Sequence, residues 1–112
     1  MPTIVACFKW VVDEAYIRRG AGGALDFSSV DYKIGEYDRN AIEEAVRLRD
    51  AGGGGSVIGL TVGAPESAKG VKDGLSRGMD QAIFASDPAF RDLEPSQTAS
   101  ILAEVIRTRV PQ

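Results

Sequence analysis

Three short stretches of the chain are almost unbroken in apolar residues: Thr3 to Phe8 (TIVACF), Val57 to Val62 (VIGLTV) and Gln81 to Ala85 (QAIFA). A strand with one wet face alternates apolar and polar positions, whereas a strand covered on both faces does not, so these runs predict buried strands. Elsewhere the period is helical. In DRNAIEEAVRLRD, Ala41, Ile42, Ala45, Val46 and Leu48 recur at helical spacing and Glu43 precedes Arg47 by one turn. Asp38 and Asn40 suit N-caps there, and Asn40 with Glu43 has capping-box spacing. In PESAKGVKDGLSRG the stripe is Ala68, Val71 and Leu75, with Pro65 for a first turn and Gly78 for a stop. In SQTASILAEVIRTRV, Ile101, Leu102, Val105 and Ile106 share a face before Pro111.

Strands alternating with helices predict an α/β fold whose parallel sheet is joined by right-handed crossovers. One segment interrupts the alternation. From Asp13 to Tyr37, turn signals at Gly20-Ala21-Gly22-Gly23 separate Tyr16-Ile17-Arg18 from Ala24-Leu25-Asp26-Phe27, which predicts an inserted β-hairpin.

The run AGGGGS at 51–56 has the look of a phosphate loop or a domain linker. Ligands of open α/β sheets sit outside the carboxyl ends of strands, and this run follows a helix and precedes a strand, so it lies at the opposite edge. It also lacks the Lys-Ser/Thr of a Walker loop. The βα alternation continues across it, so it is a corner within one domain spanning 1–112.

Composition narrows the chemistry. The 112 residues carry 13 Lys and Arg against 16 Asp and Glu, a net charge of -3, with basic residues in scattered pairs, which speaks against nucleic-acid binding. The absence of histidine excludes Ser-His-Asp and Cys-His catalysis and imidazole zinc sites. Cys7, the single cysteine, forms no internal disulfide and suits a reducing compartment. With neither a signal-peptide pattern at the start nor an apolar run near the roughly 20 residues of a membrane span, a cytoplasmic location is expected.

The loops after the strands share the edge where a ligand is expected: Cys7-Phe8-Lys9-Trp10, Thr61 to Ser67, and Ser86-Asp87-Pro88. Gly35-Glu36-Tyr37-Asp38, entering the first long helix, is a fourth, since Gly35 permits close approach, helix-start N–H groups attract anions and Tyr37 can flank a planar ring. Each has a plainer structural role. Gly63-Ala64-Pro65 turns strand into helix, Cys7 fits a small core residue, Lys9 a solvated charge and Trp10 a cap on the core. Asp13-Glu14 and Glu43-Glu44 are solvated acidic pairs, and Gly70 with Gly74 marks a close packing face.

The segments VACFKWVVDE, GALDFSSVDYKIGEYDRNAIEEAVRLRD, VIGLTVGAPESA and GLSRGMDQAIFASDPAF, with the QTAS of the last helix, together resemble the N-terminal part of the electron transfer flavoprotein β subunit, most closely its FixA-type branch. The likeness runs from Thr3 to Arg109. It implies a Rossmann-like three-layer α/β/α fold with a parallel sheet and an inserted β-hairpin, in which the C-terminal half of the family fold is absent. An open sheet edge then follows, and with it self-association.

The resemblance implies an electron carrier, not a catalyst with its own acid, base or nucleophile. The family's β subunit pairs with an α subunit; the heterodimer carries electrons on FAD from acyl-CoA-type dehydrogenases or other redox partners to an acceptor. The β subunit itself holds AMP or, in electron-bifurcating members, a second FAD. Carried over by position, the family's nucleotide contacts fall on Cys7, on Gly35, Glu36, Tyr37 and Asp38, and on Val62 beside Gly63. Lys9, in the first strand-end loop, joins them as a cofactor-binding residue; no metal ligand is expected. Gly35-Glu36 stands where most members have Asn-Pro, and Glu36 brings a charge that repels phosphate. The alternative is a stand-alone adenine-nucleotide-binding regulatory domain, and a third reading is an interaction module with no ligand.

Overall fold

The computed structural model of the chain describes residues 2–13, 18–19, 23, 25–26, 32–91 and 93–110. In chain order these form β1 (Thr3–Cys7), β2 (Trp10–Val12), β3 (Arg18–Arg19), β4 (Leu25–Asp26), β5 (Tyr32–Ile34), α1 (Glu36–Ala51), β6 (Ser56–Gly63), α2 (Ala68–Ser76), β7 (Gln81–Ser86) and α3 (Pro95–Arg109). β1, β6 and β7 make a parallel sheet with β6 in the middle, in a register that sets Val5 beside Ile58 and Leu60 beside Ile83. The central position explains the apolar run of β6: Val57, Ile58 and Leu60 are wholly buried.

Alternation along the strands divides the sheet into two faces. On one, Ala6, Val57 and the loop residue Phe8 join Ile42 and Ala45 of α1, Ile34 of β5 and Met79 in a single core. α1 packs there on β1 and β6, and α2 on β6 and β7. Ile58 and Leu60 point to the other face, where α3 packs against β6. Helices on both faces give the α/β/α layering expected from the sequence, but unequally, since no residue of α3 is fully buried.

The glycines of α2 are sites of contact. A Cβ on Gly70 would lie 2.9 Å from the Trp10 ring, and one on Gly74 2.2 Å from Met79 Cε. Met79 also fills the space above Gly59 of β6, where a Cβ would come within 2.1 Å of its Sδ. The methionine thus plugs the seam between helix and sheet, and the helix-breaking cost of two glycines is offset by packing.

The AGGGGS corner has the expected form. Gly52 caps α1, and Gly53 and Gly55 turn the chain at φ +76° and +105°, values that favour glycine. Nearby, Asp80 Oδ2 accepts from Val57 N (2.7 Å) and from Arg49 Nη1 (2.9 Å), while Arg49 also donates to the Gly78 carbonyl (2.8 Å). These bonds tie the end of α1 to the starts of β6 and β7.

Three features differ from expectation. α1 begins at Glu36 with Gly35 as N-cap and no side-chain cap, so Asp38 and Asn40 lie inside the helix and the Asn40–Glu43 spacing caps nothing. The carboxylate of Asp38 is committed elsewhere, to the backbone N–H of Lys9. α3 is capped by Glu94, whose backbone N–H donates to Gln97 Oε1 at 2.8 Å in a capping box, with Pro95 in the first turn. The inserted segment agrees with expectation where it is described, Arg18–Arg19 pairing antiparallel with Leu25–Asp26 as in a hairpin, while Tyr16, Ile17, Ala24 and Phe27 lie outside the described residues. A further antiparallel ladder, β2 with β5, sets Trp10 beside Ile34, so Trp10 belongs to a strand and not to a loop.

Candidate functional site

At the carboxyl edge of the sheet a cleft of about 1030 Å³ opens between the exits of β1 and β6 and the first turns of α3. Its near wall is the β1 exit, Cys7 to Lys9, continued by Trp10 and Val11. The chain leaves the sheet here because Lys9 is held from two sides by the entrance to α1. Its N–H donates to Asp38 Oδ2 (2.9 Å) and its carbonyl accepts from Gly35 N (3.1 Å). Gly35 makes this clamp possible, since a Cβ there would stand 3.0 Å from Asp38 Oδ2.

The floor is Val62, Gly63 and Ala64 at the end of β6, followed by a 3-10 turn over Pro65–Ser67 that delivers the chain to α2. Ser67 folds back over Gly63, where an added Cβ would meet its hydroxyl at 2.8 Å, so only glycine keeps this part of the floor low. The far wall is Phe90, Arg91 and Leu93 after β7, then Pro95, Thr98 and Leu102 of α3.

Of the expected site residues, the cleft brings together Cys7, Lys9, Asp38, Val62 and Gly63. Gly35 braces the near wall from behind. Glu36 lines a separate polar groove with Arg39, Asn40, Glu43 and Arg77, and its carboxylate accepts from Lys33 Nζ at 3.3 Å. The charge expected to repel a phosphate is therefore outside the cleft. Tyr37 is 89% exposed and does not line it either.

The electrostatics are mixed. Lys9, Lys69 and Arg91 line the cleft opposite Asp38 and Glu66. Arg91 forks onto both oxygens of Glu66, Nη1 to Oε1 and Nη2 to Oε2, joining the turn after β6 to the segment after β7. Glu66 is held below its ordinary pKa by its own backbone N–H and by Arg91, against an opposing effect of desolvation. The Cys7 thiol is pushed up by partial desolvation and by the Asp38 carboxylate, both of which favour its neutral form. Among the described residues no cluster of His, Cys, Asp and Glu could hold a metal ion, and no helix is long and apolar enough to cross a membrane.

The far wall escaped the sequence reading. Leu102 sits in a helical stripe that reads as core, Glu66 falls within the Thr61 to Ser67 loop without being singled out, and neither Arg91 nor Thr98 is picked out. Placement of both loops after parallel strands was the only available signal.

Pockets that hold small ligands span about 300–1,000 Å³ and carry a few polar groups on apolar walls, and this cleft stands just above that range. Its lining offers apolar surface at Val62, Trp10 and Leu102 and cations at Lys9, Lys69 and Arg91. The family model of the electron transfer flavoprotein domain matches residues 23–112, most of the sequence. The chain belongs to the electron transfer flavoprotein domain family.

Proposed function

We propose that this chain acts as a β-type subunit of an electron transfer flavoprotein, of the FixA-like branch, or as the N-terminal portion of one. It pairs with an α subunit and holds an adenine nucleotide, AMP or a second FAD, in the cleft at the carboxyl ends of β1 and β6. The observation that carries this reading is the convergence there of Cys7, Lys9, Asp38, Val62 and Gly63 from separate segments. Membership of the family supports the electron-transfer role. Flavin, when bound, supplies the redox chemistry, and the protein places it.

The contributions of the chain itself are positional. Gly63 lets the nucleotide approach the backbone of β6, the Lys9–Asp38 clamp holds the near wall, and Trp10 and Val62 offer apolar surface to a ring. The electrons travel from an acyl-CoA-type dehydrogenase or another redox partner to an acceptor, and the cell compartment is the cytoplasm.

Trp10 is the single tryptophan and lines the cleft, so it reports directly on occupancy. AMP and FAD are titrated into the full chain, alone and with its cognate α subunit, while Trp10 fluorescence and flavin absorbance are followed. Saturable quenching is expected with at least one nucleotide. Silence in both signals, with and without the α subunit, overturns the reading.

A further inference from the structure

Glu66 and Arg91 are the only opposite charges that face each other across the described walls of the cleft in an ion pair. One belongs to the turn after β6 and the other follows the turn after β7, and both side chains are more than half exposed at the mouth. The guanidinium is engaged by both carboxylate oxygens, the two-pronged geometry in which arginine also grips a phosphate. By contrast, Lys9 and Lys69 line the same cleft with ammonium groups that make no ion pair among the described residues. The cleft therefore holds two open cations and one that is masked.

We propose that Arg91 is the phosphate receptor of this cleft and that Glu66 is its built-in competitor. With the cleft empty, Glu66 occupies the fork of Arg91. An entering phosphate or pyrophosphate group displaces the carboxylate, takes both N–H prongs and shares the charge of Lys69 and Lys9. A surface ion pair is cheap to break, so the exchange is easy, and a ligand without a phosphate has nothing to offer in return. Arg91 thus favours nucleotides over nucleosides, and Glu66 tempers that preference: a neutral ligand leaves the pair closed, and an anionic one must open it. The ligand class at this subsite is a phosphate monoester or diphosphate. The inference rests on the nucleotide reading above for the identity of the base, and on the cleft geometry alone for the anion.

Calorimetric titrations of adenosine, AMP and inorganic pyrophosphate into the full chain test it, in the native sequence, in Glu66→Gln and in Arg91→Gln, at low and high ionic strength. Thermal melts confirm that both variants fold, which two half-exposed side chains permit. Removing the competitor is expected to tighten AMP and pyrophosphate by about two- to fivefold, the equivalent of one surface ion pair, and to leave adenosine unchanged. Arg91→Gln is expected to weaken both anions by about tenfold and flatten their salt dependence, again without effect on adenosine. The proposal is overturned if Glu66→Gln weakens AMP and adenosine together, the mark of a brace, or if Arg91→Gln leaves the anions unaffected. Pyrophosphate responding as expected while neither adenosine nor AMP binds removes the nucleotide reading and keeps the receptor. Adenosine and AMP binding equally in all three proteins does the reverse. Silence from every ligand removes both.

Discussion

Substituting Gly59 by alanine tests whether the sheet and α2 are held together by one methionine. The new Cβ would lie 2.1 Å from Met79 Sδ and 2.5 Å from its Cε, where unstrained contacts are about 3.5–4.0 Å. Met79 must move by more than an ångström, and it has nowhere to go: it is 5% exposed, and its methyl already occupies the position of a Gly74 Cβ. Overpacking of this kind costs about 1–3 kcal/mol. Alanine returns about 0.5–1 kcal/mol through the unfolded chain, since glycine loses more freedom on folding. The net expected loss is about 0–2.5 kcal/mol, or up to roughly 10 °C in melting temperature for a domain of this size. Met79→Ala alone leaves a cavity and costs about 2–5 kcal/mol. In the double variant the alanine methyl enters that cavity, so the double is expected to be at least about 1 kcal/mol more stable than the sum of the singles allows. Urea unfolding followed by circular dichroism gives all four corners of the cycle. Single effects that add within about 0.5 kcal/mol would refute the plug.

Two further outcomes follow from the core and the charges. Ile42→Ala removes a wholly buried side chain facing β1 and β6 and is expected to cost about 2–5 kcal/mol in the same urea assay, whereas an effect below about 1 kcal/mol would contradict its central place. The Asp80 carboxyl is held below its ordinary value by the Val57 N–H and then by Arg49, so its stabilisation is present above its unfolded pKa and lost as pH falls through the folded one. Melting temperature is therefore expected to drop on acidification below about pH 4, less steeply in Asp80→Asn, and identical acid limbs would count against the tie.

β6 was legible because burial on both faces writes a simple signal, whereas β1 and β7 carry the same apolar pattern but, at the edges of the sheet, are only partly buried. The corner at Gly52–Gly55 was legible from order alone: a glycine run between helix and strand cannot stand at the ligand edge. The start of α1 was not. Asp38 has the chemistry of a cap, but the carboxylate has a better partner in the Lys9 N–H, far away in sequence, and local pattern rules contain no such long-range competitor. The β2–β5 ladder was missed for a related reason, since Trp-Val-Val continues the first apolar run and its partner strand begins after a segment dominated by turn signals. In the cleft, sequence order identified the near wall and the floor. The far wall depends on how α3 leans on β6, which is set by the remainder of the packing and by no single residue.

That lean has a consequence of its own. α3 contributes no fully buried side chain, whereas the β6 floor beneath it is sealed, so detaching the helix breaks far less apolar contact than disturbing the sheet. One jaw of the binding seat is anchored and the other is only lightly sprung. An occupant that bridges the two would stiffen the looser jaw, and part of its grip would be spent on that ordering.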